Sequence, residues 1–261
     1  MNKILSDKYN QVLMNLIILG SGTCVPSLKR NAPGYYLEVF DKKILTDCGN
    51  GTILQLEKAG KSYKDIDAVF ITHTHPDHIS GLMPFIHALS ATPGFKREKD
   101  LLIVGPGGLK KFYESCISHV MKKPKSFTIN AIEIEDKLDL GYLHVFSKKT
   151  VHSENSIAYR FEDREKSVVI TGDCDYDEGI IELSRDVDLL IIDCSFPDAM
   201  KVPGHLTPKE CGLVAKKAKA KKLILSHLYP TSYPDSEKLK ECRVVFDGDV
   251  LLAEDLMEVN I

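Results

Sequence analysis

The stretch Thr72-His73-Thr74-His75-Pro76-Asp77-His78 sets three imidazoles and one carboxylate within six positions. Imidazole nitrogen and carboxylate oxygen are the donors that suit Zn²⁺, and they also accept Mn²⁺ or Fe²⁺. A single tetrahedral ion would not take four donors from adjacent positions, so the loop reads as shared between two metals. The apolar run Ala68-Val69-Phe70-Ile71 just before it reads as a buried strand that delivers the loop to a sheet end.

Three further donors share that context, each just past an apolar strand pattern. His152 follows Phe146 to Val151, Asp173 follows Val168-Val169-Ile170-Thr171-Gly172, and His227 follows Leu223-Ile224-Leu225-Ser226. Sheets gather strand ends along one edge, so donors far apart in the chain can converge there. His87, His119 and His144 fall inside helical or strand patterns and are expected to be structural or surface residues.

The elements that must position these donors are legible in outline. Leu16-Ile17-Ile18-Leu19 reads as a strand ended by the turn Gly20-Ser21-Gly22-Thr23, which brings backbone close to a site. No helix pattern follows, so this is not a dinucleotide fingerprint. Tyr35–Phe40 and Lys43–Thr46 form a hairpin signal, and a helix begins near Ile53 and stops at Gly60. Helices are expected near Phe85–Leu89, over Leu109–Met121, over Glu178–Ser184 and over Ser236–Cys242. Strands are expected over Leu101–Val104, Phe127–Ile134, Gly141–Thr150, Ile157–Phe161, Ser167–Ile170, Asp188–Asp193, Lys222–Ser226, Val244–Val245 and Val250–Leu252. Thr207 with Pro208 and Glu210 makes a capped helix start, the helix running to about Ala220. Strands and donors occur in both halves, without repeat or long linker. The expectation is one α/β domain, two sheets face to face with helices outside, over residues 15–261 after a short extension at 1–14.

Composition narrows the class. A chain of 261 residues can bury a sizeable core, and a net charge of −3 supplies no global basic field for nucleic acid. Lysines cluster at Lys122-Lys123-Pro124-Lys125 and over Lys216–Lys222, and read as solvated surface. Seven scattered cysteines without a C-x-x-C, a polar start without a secretory signal, and no apolar run of membrane-spanning length point to a reducing, cytoplasmic setting away from membranes.

The order of motifs resembles the metallo-β-lactamase-fold hydrolases, and in particular their ribonuclease Z-like branch. The matching pieces are Leu19-Gly20-Ser21-Gly22 with Pro26-Ser27 and Arg30-Asn31, Asp47-Cys48-Gly49, His73-x-His75-x-Asp77-His78, His152-Ser153, Gly172-Asp173, Gly204-His205-Leu206-Thr207 and Ser226-His227. They span nearly the whole chain. The resemblance implies a four-layer αββα sandwich with two divalent ions, Zn²⁺ by default, at one edge. It implies His73, His75 and His152 on the first ion, Asp77, His78 and His227 on the second, and Asp173 bridging both. A hydroxide between the ions would attack the electrophile. Asp47 is then expected to support a ligand imidazole. His205 joins Asp77 among the catalytic residues, protonating a leaving oxygen or stabilising charge there, and Ser153 is a candidate phosphate contact.

The chain also departs from that branch. Ribonuclease Z enzymes carry a long tRNA-binding arm, typically between the elements of His152 and Asp173, and here only twenty residues separate them. Leu206 stands where tRNA-processing members commonly have Ser, and Asn50 replaces a common acidic residue. The resulting expectation is a two-metal phosphodiesterase acting on a small phosphodiester or a nucleic-acid end. A hydrolase of thioesters, lactones or other carboxyl derivatives and a non-catalytic metal-binding scaffold are the alternatives, and homodimers are common in the family.

Overall fold

The computed structural model describes residues 14–261. Its first half runs β1 (Met14–Gly20), β2 (Gly34–Val39), β3 (Lys42–Thr46), α1 (Thr52–Lys58), β4 (Ala68–Phe70), α2 (Pro76–Ile79), α3 (Leu82–Ala91), β5 (Leu101–Gly105), α4 (Leu109–His119) and β6 (Ile129–Glu133). The second half runs β7 (Lys137–Asp139), β8 (His144–Lys149), β9 (Ile157–Glu162), β10 (Ser167–Ile170), α5 (Glu178–Leu183), β11 (Leu189–Asp193), α6 (Pro208–Ala218), β12 (Lys222–Ser226), α7 (Asp235–Arg243), β13 (Asp249–Leu252) and β14 (Met257–Asn260). Two seven-stranded sheets result, ordered β14-β1-β2-β3-β4-β5-β6 and β13-β12-β11-β10-β9-β8-β7.

The period of two along a strand explains the layers. In β1, Leu16 and Ile18 enter the core between the sheets, while Ile17 and Leu19 join the core shared with the first-half helices. In β11, Leu189 and Ile191 face the other sheet, and Leu190 and Ile192 pack with residues of α5 and α6 such as Ile180 and Val214. Both faces are covered, so these strands read as continuous apolar runs rather than alternating ones. Phe70, just before the His-rich loop, meets Tyr159 and Phe161 of the opposite sheet edge-on at 5.4 and 5.1 Å. Such aromatic pairs contribute about 0.5–1.5 kcal/mol each beyond their burial. The four-layer αββα sandwich expected from the resemblance is therefore observed.

Several local expectations are revised. Met14, assigned to the extension, opens β1, pairs with Val39 and is fully buried; the remainder of that extension, residues 1–13, lies outside the described residues. No strand forms at Val244–Val245: Val244 caps α7, its N–H reaching the carbonyls of Lys240 and Glu241. Helix propagation from Asp235 overrides the β-branched pair there. Two strands escaped the sequence reading, β7 and β14, both short edge strands at the ends of their sheets. The capping box at Thr207 and Glu210, with Pro208 at the first helical position, is present as expected.

Candidate metal centre

Parallel pairing brings the donors together. β3 pairs parallel with β4, and β10, β11 and β12 pair parallel in series, so the C-terminal ends of each set share an edge. Asp47 follows β3, Thr72 and His73 follow β4, Asp173 follows β10, and His227 follows β12. Asp47 and His227 adopt left-handed backbone, with φ of 58° and 57°. That conformation costs of order 1–3 kcal/mol away from glycine and clusters at functional sites, and here it follows directly on a strand end. Gly172 turns the same way at φ 58°, and a Cβ there would stand 2.7 Å from the Thr72 Cβ, so only glycine lets the two strand-end loops approach this closely.

Seven predicted ligands converge. The ligand atoms of His73, His75, His152 and Asp173 lie within 4.8 Å of one another, and so do those of Asp77, His78 and His227. Asp173 stands between the groups. Its Oδ2 is 3.8 Å from His73 Nε2 and 3.4 Å from His152 Nε2. Its Oδ1 is 3.1 Å from His78 Nε2 and 3.2 Å from His227 Nε2. Asp77 Oδ2 sits 3.6 and 3.4 Å from those same two Nε2 atoms. One carboxylate thus presents one oxygen to each group.

The other ring nitrogens are tied down, which fixes what faces inward. His78 Nδ1 donates to Asp47 Oδ2 at 2.7 Å, and His152 Nδ1 donates to the Gly204 carbonyl at 3.0 Å. His73 Nδ1 meets the Thr72 hydroxyl at 3.1 Å, which itself donates to Asp47. His227 Nδ1 meets Ser195 Oγ at 3.0 Å, and that hydroxyl donates to Asp193 Oδ1 at 2.6 Å. With the Nδ1 of these four histidines occupied, their Nε2 atoms face the site, whereas His75 turns its Nδ1 inward. Among the described residues, His73 Nε2, His78 Nε2 and Asp173 Oδ1 are buried without an aligned hydrogen-bond partner, although the last two lie only 3.1 Å apart. Orphaned buried polar atoms of this kind demand an explanation, and divalent ions supply one. His75 Nδ1 and His152 Nε2 lie 3.0 Å apart, close to the roughly 3.3 Å separating two nitrogens on one tetrahedral ion with bonds of 2.0–2.1 Å. The residues present fit two ions.

Local electrostatics treat the imidazoles differently. Burial drives His73 and His152 toward neutral imidazole, the form that ligates. Burial also opposes charge on His78 and on Asp173, yet the Asp173 and Asp47 carboxylates raise His78 well above the usual imidazole range. His227 and His78 in turn hold Asp173 well below the usual carboxylate range.

His205 lies beside this centre. It is 9% exposed, its Nδ1 is 2.8 Å from Asp193 Oδ2, and it stacks parallel to His227 at 5.6 Å. Against the effect of burial, the hydrogen bond and charge of Asp193 raise its pKa. Ser153 is half-buried in the loop after His152, which Ser156 closes by bonding both Ser153 backbone groups. Arg30 and Asn31 are framework rather than site. The Arg30 guanidinium reaches Ser21 Oγ and Asp235 at 2.8 Å each, and Asn31 bonds the Asn50 carbonyl at 2.8 Å. His87, His119 and His144 are exposed and take no part in the centre. Sequence reasoning missed Asp193, Ser195 and Thr72 as anchors, and Asp255, which accepts bonds from Ser21, Asn31 and Gln55. For Asp193 a signal existed: it ends an apolar strand, as the residues before Asp173 and His227 do.

A sandwich of this topology with this edge centre defines a class, and the chain belongs to it: residues 42–228 match the Beta-lactamase superfamily domain. Within that superfamily it is a metal-dependent hydrolase of the ribonuclease Z-like branch. The Ribonuclease Z of Methanothermobacter thermautotrophicus is 30% identical over 306 aligned positions, covering 95% of this chain and 97% of that protein. At least 45 of those positions (306 less 261) face no residue of this chain, so the relative carries segments absent here. "Probable metallo-hydrolase YhfI" of Bacillus subtilis is 31% identical over 248 positions, 92% of this chain and 97% of that protein. The crystal structure of YhfI superposes with a TM-score of 0.85 at 26% identity, over 95% of this chain and all (100%) of that one. The short form of human tRNase Z superposes with a TM-score of 0.76 at 25% identity, over 94% and 98%. Among the described residues no helix is long and apolar enough to cross a membrane.

Proposed function

We propose that the protein is a two-metal phosphodiesterase acting on a small phosphodiester or an accessible nucleic-acid end, with His73, His75 and His152 on one ion, Asp77, His78 and His227 on the other, and Asp173 between them. The observation that carries the reading is His205, held by Asp193 and stacked against His227, within 4.0 Å of Asp173. The His/Asp donor set makes Zn²⁺ the first choice, with Mn²⁺ or Fe²⁺ acceptable. Two such ions would supply a nucleophilic water at neutral pH and neutralise charge on the phosphoryl oxygens.

The remaining work falls to the chain. Asp193 accepts the Nδ1 proton of His205 and leaves Nε2, which has no hydrogen-bond partner among the described residues, to donate a proton to the departing alkoxide. Asp47, Ser195 and the Gly204 carbonyl hold the ligand imidazoles in one tautomer. The twenty residues between His152 and Asp173 form the β9–β10 hairpin, closed where Asp163 Oδ1 accepts the Glu165 and Lys166 N–H groups. No extended arm projects from it, and this favours short substrates over folded tRNA. Seven free cysteines suit a reducing, cytoplasmic setting.

Leaving-group dependence tests the reading. Metal-loaded protein is assayed on a p-nitrophenyl phosphodiester and on a diester whose leaving group is a sugar alcohol. His205→Ala should slow the sugar ester by about 10²–10⁴-fold and the nitrophenyl ester far less, since nitrophenolate departs without a proton. Absence of turnover of either diester with Zn²⁺, Mn²⁺ and Fe²⁺, beside turnover of a thioester or lactone, would refute it.

A further inference from the structure

Two cavities of about 310 Å³ each flank the loop after β1, sharing Thr23, Val25, Ser27 and Arg30 as a common wall. The first reaches the metal centre at Asp77. The second is walled by Tyr229, Tyr233, Leu228, Pro230 and Val25, and no catalytic role described above uses it. No metal ligand lines this cavity; Tyr229 is its link to the centre, lying two residues after His227 with its ring against that imidazole.

Tyr229 is rigidly set. Its ring stacks on Phe196 with centroids 4.5 Å apart and planes at 22°. It stands edge-on to His205 at 6.0 Å and to His227 at 5.7 Å. Its hydroxyl meets Cys24 Sγ at 3.4 Å across the gap between two loops. A half-buried aromatic fixed from several sides loses little rotamer freedom when a ligand arrives, which makes it an efficient recognition surface. Two cations also line the cavity: Arg30 is committed to Ser21 and Asp235, and Lys29 is exposed and shares the lining with the Asp235 carboxylate. The aromatic walls match a flat ring, and the size is that of small-ligand pockets generally.

We propose that this second cavity receives a planar ring of nucleobase type carried by the phosphate ester, seated against Tyr229 while the phosphoryl group occupies the metal centre. The assignment rests on the phosphodiesterase reading and adds the part of the substrate that the metal centre does not see. Tyr229 is then a specificity-determining residue and Val25 the opposite lip of the subsite.

Direct binding to the metal-loaded protein, measured by calorimetry, tests it with thymidine 5′-phosphate, thymidine 3′-phosphate and methyl phosphate. At least one nucleotide should bind more tightly than methyl phosphate by roughly five-fold to a hundred-fold, the range of one base stacked on an aromatic side chain. Tyr229→Ala should collapse that ratio toward one and Tyr229→Phe should keep it. Ser232→Trp, which fills the second cavity from the surface side and lies outside the wall shared with the first, should also collapse it. Equal binding of all three phosphates by the wild type, or a ratio that survives both Tyr229→Ala and Ser232→Trp, overturns the assignment. Turnover of a p-nitrophenyl phosphodiester is followed in parallel. Turnover without a ring preference removes only the subsite, whereas a ring preference without turnover of any phosphodiester removes the phosphodiesterase reading.

Discussion

The two ligand groups that Asp173 joins are built differently. In the second, His78 and His227 are buried, the Asp77 side chain is 9% exposed, and each imidazole is backed by a carboxylate: His78 directly by Asp47, His227 through Ser195 by Asp193. In the first, only His73 has such backing, through the Thr72 hydroxyl to Asp47; His152 leans on a backbone carbonyl, and the exposed His75 meets His152 Nε2 through its Nδ1 and the His73 ring edge-on at 4.5 Å. Carboxylate-backed imidazoles are more basic and more firmly oriented than those backed by neutral oxygens. The second group is therefore the tighter, pre-set half of the centre, and the first the half that opens to solvent and substrate.

Removing the shared carboxylate should erase the distinction. Asp173→Ala deprives both groups of their common anion, and activity should fall by more than about a hundredfold, beyond what loss of a supporting partner costs. Metal analysis should then find less than one ion per chain at micromolar free Zn²⁺. A variant that still holds two ions would mean Asp173 does not join the groups.

Asp47→Ala should expose the asymmetry instead. It strips the anchor from His78 and leaves the buried Thr72 N–H and the His78 Nδ1–H unpaired, at about 1–3 kcal/mol for each such group. Affinity for the second group's ion should fall about 10- to 100-fold, the first group's ion should loosen less because the Thr72 hydroxyl still meets His73, and the denaturation midpoint should drop. Chelator titration with metal counting reads this directly, and equal weakening of both ions would break the comparison.

The same asymmetry explains what the sequence could reveal. His73, His75, Asp77 and His78 were legible because their donors are neighbours in the chain. His152, Asp173 and His227 were legible because each directly follows an apolar strand, and strand ends meet at one edge. The anchors were not. Asp193 ends a strand in the same way as those donors, and spacing cannot tell an Asp that faces a metal from one that faces a histidine. Thr72 and Ser195 act through hydroxyl geometry that exists only after Asp47, Gly172 and His227 turn the chain through left-handed backbone. In the fold, the buried strands announced themselves as apolar runs. The edge strands Lys137-Leu138-Asp139 and Met257-Glu258-Val259-Asn260 carry too little apolar pattern to do so.

The finest test acts on the looser group alone. Gly204 has φ 89°, its carbonyl holds His152 Nδ1, and a Cβ added there would lie 3.2 Å from that nitrogen. Alanine in left-handed backbone costs roughly 1–2 kcal/mol, and the imidazole must also shift by a few tenths of an ångström to admit the methyl. Because His152 belongs to the first group, Gly204→Ala should weaken that group's ion severalfold, less than Asp47→Ala weakens its own, and leave the carboxylate-backed ion in place. Competitive titration with a chromophoric chelator separates the two constants, and a melting curve reports the backbone strain. Were the second ion the one to loosen, the division of the centre into a rigid half and an open half would be wrong. Were neither ion to move while the melting temperature fell, the Gly204 carbonyl would be holding the loop and not the ligand.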